Sequence, residues 1–172
     1  MKAWHFVGDT LRDGSPVPRD GVWLKYKGPL VMCETGLHAS LDAFDALQYA
    51  PGNVLCRVEV GGEIIKGDDK MVCSQRKIIR RMDATEMLRY FARMQALSVI
   101  HLYPNGTDDV VFDYLMTGDE NLRAAAWDAA RAAARAAAVA AAWDAAGAAA
   151  WAAAGAAQRE YFNHLVNECF GE

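Results

Sequence analysis

Between Ala124 and Ala157 the chain is mostly alanine, and every fourth position carries a punctuating residue: Trp127, Arg131, Arg135, Val139, Trp143, Gly147, Trp151, Gly155 and Arg159. Alanine has the highest helix propensity of any residue, so the tract predicts a helix, which at about 1.5 Å per residue spans roughly 50 Å. A period of four exceeds 3.6, so successive punctuating residues fall about 40° further round the helix. Trp127, Trp143 and Trp151 therefore do not line one stripe, and no coiled-coil seam forms. Asp128, Arg131, Arg135 and Asp144 interrupt the tract, and alanine is close to neutral for insertion, so no membrane span is expected. Two readings stay open. The shallow alanine surface admits close approach of a host protein or a second copy, with the tryptophans covering neighbouring elements, or the tract is a low-complexity spacer grown by repeat expansion.

Alanine buries little area, so the 53% apolar content of the 172 residues overstates the core. Core residues must come from the stretch before the tract and the segment after it, which leaves a small working domain. The formal charge of −4 argues against a surface committed to nucleic acid or anionic lipid. Cys33, Cys56, Cys73 and Cys169 form no C-x-x-C pair, so reduced, buried thiols are expected rather than a disulfide framework or a metal site. The opening Met1-Lys2-Ala3-Trp4-His5 lacks the apolar run of a signal peptide, and a cytoplasmic location is expected.

Lys2 to Val7 suits a short strand, Gly8 to Asp20 a loop, and Val22 to Tyr26 with Pro29 to Cys33 a pair of strands around Lys27-Gly28. Ser40 is placed to cap a short helix running to Ala50, stopped by Pro51-Gly52. Asn53 to Val60, Glu63 to Lys66 and Met71 to Ile79 add strands, giving five or six. Asp83 and Glu86 make a capping box for a helix carrying Met87, Leu88, Phe91, Met94 and Leu97 at helical spacing, and Asp109 to Met116 is a second short helix ending at Gly118. Phe162, Leu165, Val166, Cys169 and Phe170 define an amphipathic C-terminal helix that docks back or pairs with another copy. Helices following strands favour α+β. The expected organisation is an α+β module over residues 1–82, a helical extension packed on it over 83–120, the alanine helix over 121–158 and the amphipathic helix over 159–172.

No Walker loop, G-x-G-x-x-G, H-E-x-x-H or G-x-S-x-G pattern occurs. Three segments stand out: Gly36-Leu37-His38-Ala39-Ser40, Ala46-Leu47-Gln48-Tyr49-Ala50, and the run from Val54 to Gly61. Together they resemble part of the ADP-ribosyltransferase and poly-ADP-ribose polymerase core. The resemblance implies a small mixed or antiparallel sheet and a site for NAD or a related nucleotide. There His5 would hold the nicotinamide ribose, and His38 would take a position that is tyrosine in the polymerases and histidine in some RNA 2′-phosphotransferase relatives. Tyr49 would help form the nicotinamide pocket, with Ser40 lining it. The family's catalytic glutamate should precede a late strand, but Met71 to Ser74 is preceded by Asp69-Lys70. Lysine cannot orient the ribose or stabilise an oxocarbenium-like state, so a ligand-binding descendant fits as well as a transferase. The whole chain also resembles a group of bacteriophage and prophage proteins that pair a "GLHAS…ALQYAPGN" module with a punctuated alanine tail. That implies a phage product acting on host defence or metabolism.

Each residue also has a structural reading. His5 and His38 suit half-buried strand positions bonded to backbone carbonyls, and Tyr49 suits the end of a helix in the core. Lys70 can meet a phosphate or pair with Asp68 and Asp69. Arg57 sits mid-strand, where it reaches a pocket or faces solvent. Arg76, Lys77, Arg80 and Arg81 form either a phosphate or nucleic-acid patch or a solvated edge strand.

Overall fold

A computed structural model describes residues 1–102, 108–140 and 147–171, with side chains for 1–101, 108–131 and 155–171. The chain divides into two compact units: Met1–Glu86 together with Arg159–Glu172, and Met87–Gln158. The predicted α+β class holds.

The first unit is built on five antiparallel strands: β1 (Lys2–Val7), β2 (Trp23–Lys25), β3 (Leu37–Ala39), β4 (Val54–Lys66) and β5 (Met71–Asp83). β4 and β5 form a long hairpin, β1 lies on the free edge of β4, and both β2 and β3 lie along the other edge of β5. The two runs expected at Asn53–Val60 and Glu63–Lys66 are one strand. Gly62, at φ 70°, absorbs the irregularity between them as a bulge rather than breaking the strand. Bulges at this point and between Arg57 and Val58 curl the hairpin. The curl is strong enough that Ser40, just past β3, pairs with Trp4 of β1, each backbone N–H reaching the other's carbonyl at 2.9 and 2.7 Å. The sheet thus nearly closes on itself.

Its inner face carries Ala3, Val7, Ala39, Cys56, Val58, Val60, Met71, Cys73 and Ile78. These are mostly small side chains, as a tightly curled interior requires. The outer face carries Trp4, Phe6 and Leu55. It is covered by the short helix α1 (Ala43–Leu47) and by the C-terminal turns of a long helix, whose Phe162, Val166 and Phe170 are buried at i, i+4 and i+8. Trp4 meets Phe170 edge-on at 4.9 Å between ring centroids, and Phe44 meets Phe162 at 5.9 Å. Asn163 donates to Asp42 at 2.7 Å and accepts from the Phe44 backbone at 3.1 Å, while Arg159 pairs with Asp45 at 2.6 Å. The C-terminal segment therefore docks back in cis.

Several expectations need correction. Pro29–Cys33 is not a strand but a turn, with the Thr35 hydroxyl donating to the Pro29 carbonyl and Val31 bridged to Thr35. Ser40 does not cap α1, because its backbone is engaged by Trp4; Asp42 caps instead, accepting from Phe44 and Asp45. Cys33 and Cys169 are exposed rather than buried.

The second unit contains most of α2 (Thr85–Ser98), a 3-10 turn at Ile100–Leu102, α3 (Asp109–Thr117) and α4 (Arg123–Ala140). Asp108 caps α3, and Gly118 ends it in the left-handed conformation. Arg93 donates to the Leu115 carbonyl and Arg89 pairs with Glu120 at 3.5 Å. The final helix, α5 (Gly147–Phe170), is continuous, so the amphipathic segment expected at residues 159–172 is the end of a longer helix rather than an element of its own. Trp143 lies outside the described residues.

Candidate ligand-binding site

The strand alternation divides the residues expected to share one pocket. His5 lies between Ala3 and Val7 and opposite Cys56, all of the inner face. His38 lies between Leu37 and Ala39, which pack with the inner cluster, so its own side chain and that of Ser40 belong to the outer face. The two imidazoles nevertheless lie within electrostatic reach of each other, and both feel the charge of Arg76. They define two clusters.

The outer cluster gathers around the turn that follows β2. His38 Nε2 accepts the Cys33 backbone N–H at 3.0 Å, which requires a neutral ring with its proton on Nδ1. Burial lowers the His38 pKa first, helped by the cations Arg76, Arg12 and Lys70. Cys33 is held at φ 67°, and Gly36 at φ 99° leaves no room for a side chain beside Val72 and Leu30. The Lys70 ammonium lies 3.8 Å from the centre of the Tyr49 ring. The Tyr49 hydroxyl donates to Asp69, which holds that carboxyl below its ordinary range. Lys70 thus forms no ion pair with Asp68 or Asp69; a cation–π contact takes its place. Beside this cluster a recess of about 40 Å³ is lined by Leu41, Asp45 and residues 66–71. It has room for a water-sized group, so a larger ligand must lie across the exposed Tyr49 rather than inside the recess.

The inner cluster centres on Arg76, which is only 5% exposed and whose Nη1 donates to the His38 carbonyl. In an antiparallel ladder continuing from Trp4–Ser40, that carbonyl would face Phe6. The guanidinium fills the place where the ladder stops. Burial lowers the Arg76 pKa to about 10, and no carboxylate among the described residues acts on it. His5 is held neutral, its pKa pushed well below the ordinary value by burial, then by Arg76 and His38.

The four basic residues of β5 do not form one patch. Arg76 is internal, and Lys77 pairs with Glu59 at 2.7 Å under the Trp23 ring. Arg80 donates to the Phe170 carbonyl at 2.9 Å and so caps α5, while Arg81 is held by Asp20 and the Pro18 carbonyl. Arg57 stacks over Trp4 at 4.3 Å. Trp127, on α4, is 63% exposed. Among the described residues no cluster of metal-ligating side chains occurs, and no helix is long and apolar enough to cross a membrane.

A curled antiparallel sheet with helices on one face and a polar cluster on each side is the frame of a small α+β module. The chain belongs to the family described as a domain of unknown function (DUF7666), whose model matches residues 1–90. The matched stretch holds the whole sheet but not the α5 turns that complete its outer core. No curated protein and no solved structure matches the chain.

Proposed function

We propose that the first unit is an ADP-ribosyltransferase-like nucleotide-binding module that holds NAD or a related nucleotide on its outer cluster. The observation that carries this reading is Lys70 stacked on the exposed ring of Tyr49 beside a small recess, with His38 in the same cluster. An aromatic face suits a base or nicotinamide ring, and a neighbouring ammonium suits a phosphate. On binding, Lys70 moves from the ring to the phosphate and the ring takes the base. With Asp69 engaged by Tyr49 and no glutamate before β5, the reading is binding rather than transfer. The phage setting, with action on host defence or metabolism, rests on the sequence resemblance.

Calorimetric titration of NAD into the full chain tests the reading. Tyr49→Ala and Lys70→Met should each weaken binding about tenfold or more, the loss of roughly 1.4 kcal/mol. His5→Ala, which touches neither Tyr49 nor Lys70, should leave affinity within about twofold where the variant folds. No heat with the intact chain, or full binding by both outer variants, would end the proposal. A second reading, self-association through α4, is favoured by the exposure of Trp127, a residue type enriched at the centres of interfaces.

A further inference from the structure

The inner face of the sheet holds a charge without a counter-ion. Arg76 is nineteen-twentieths removed from solvent, and among the described residues its one hydrogen-bond partner is the His38 carbonyl. The groups that act on it are the thiols of Cys56 and Cys73, both kept protonated by burial, Cys56 with its pKa raised to about 11. Asp20, the carboxylate nearest this face among those that influence Cys56, is already engaged by Arg81. A buried guanidinium in this state is costly, because desolvation is not repaid by an opposite charge. Proteins normally meet such a cost with a paired carboxylate or a bound anion.

The guanidinium is not wholly sealed. Among the described residues no side-chain nitrogen or oxygen is both sealed from solvent and without a hydrogen-bond partner. The guanidinium nitrogens that do not bond the His38 carbonyl therefore touch solvent. His5 shares the face. Its neutral ring can offer one N–H without adding a second positive charge; burial first, then Arg76 and His38, keep it neutral. The potential at His38 comes from Arg76, Arg12 and Lys70, all cations.

We infer that the inner face of the curled sheet is a seat for a single oxyanion of the phosphate class, bound by the guanidinium of Arg76 with the imidazole of His5 as second donor. The seat is separate from the Tyr49–Lys70 cluster and does not depend on it. Arginine suits this role because its planar fork bonds two oxygens of a phosphate at once, and one edge remains free after the His38 carbonyl is satisfied.

The test is titration of the full chain with inorganic phosphate at constant ionic strength, with chloride as the matched control. It is read by calorimetry and by the imidazole resonances of His5. Saturable binding should appear with phosphate alone and shift the His5 signals. Arg76→Lys should weaken it about tenfold or more, since a point charge cannot reproduce the fork. Binding of equal strength by Arg76→Lys, or unmoved His5 resonances in the wild-type chain, overturns the seat. Should Arg76→Lys fail to fold, the wild-type resonances decide alone. Adenosine monophosphate as a second titrant separates two sources of the same chemistry: a shift of the same His5 signals means the seat takes a nucleotide's phosphate, and a shift with phosphate only means it takes the free ion. Retention of NAD binding by Tyr49 and Lys70 in a chain that has lost phosphate binding would show the two sites to be independent.

Discussion

At the scale of single residues, the histidines tie stability to pH. His5 and His38 have folded pKa values below their ordinary value, so below about pH 6.5 the unfolded chain binds protons that the folded chain refuses. Stability is then complete above about pH 6.5 and falls as the medium is acidified through it. Urea midpoints taken at about pH 7.5 and pH 5.5 should show this loss, and His5→Gln should flatten it. A midpoint that rises on acidification would contradict the burial of His5 beside Arg76. The exposed carboxyls of Asp69, Glu59 and Asp83, also lowered, act in a separate window near and below about pH 4. The sequence made His5, His38, Tyr49 and Lys70 visible through residue type and spacing. It could not show which face of the sheet each histidine takes, because that depends on strand register. Arg76 looked like one of four similar basic residues, and only the curl of the sheet separates it from the rest. Cys33 gave no local signal at all.

At the scale of elements, the last turns of α5 act as the missing side of the sheet's outer core. Phe162 and Val166 are fully buried, and Phe162 packs on Phe44. Phe162→Ala should cost about 3–5 kcal/mol, measured by urea unfolding. Cys169→Ser, exposed near the end of the same helix, should stay within about 0.5 kcal/mol. Equal costs for the two would mean that α5 is not docked as described. The period of these residues was legible, since 162, 166 and 170 repeat at helical spacing. The strands β1, β4 and β5 were legible from their β-branched content, and the end of α3 from its glycine. The turn at Pro29–Cys33 was misread because Leu30, Val31 and Met32 have strand-like composition, whereas the Thr35 hydroxyl bond to Pro29 settles the backbone locally. Ser40 was misread because its pairing with Trp4 is a contact across 36 residues of sequence, which no local pattern encodes.

At the scale of the whole molecule, the self-association reading rests on the alanine helices. Alanine packing gives an isolated helix little support in water, and Trp127 adds a large exposed ring to α4. Under the self-association reading, sedimentation equilibrium should give more than one chain's mass, and Trp127→Ala should return it to a single chain. A wild-type chain that sediments at a single chain's mass would leave the α4 surface without this role. The tract's helical character was legible from composition alone, but where its end docks was not, because the docking partner lies at the opposite end of the sequence.

The first unit is completed by residues from both ends of the chain, and this has a consequence during synthesis. Residues 1–86 emerge first, with Trp4, Phe6 and Leu55 lacking their cover, and the segment beginning at Arg159 follows only after residues 87–158 have been made. At about 5–20 residues per second that interval is roughly 4–14 s. For that time the ribosome carries a curled sheet with one sticky face, which any chaperone or neighbouring nascent chain can reach. Lengthening or shortening the alanine tract changes the delay in proportion, yet it changes the closure entropy of the finished unit only logarithmically. Repeat expansion in this tract is therefore nearly silent in the mature protein, and its effect falls on the exposure of the nascent one.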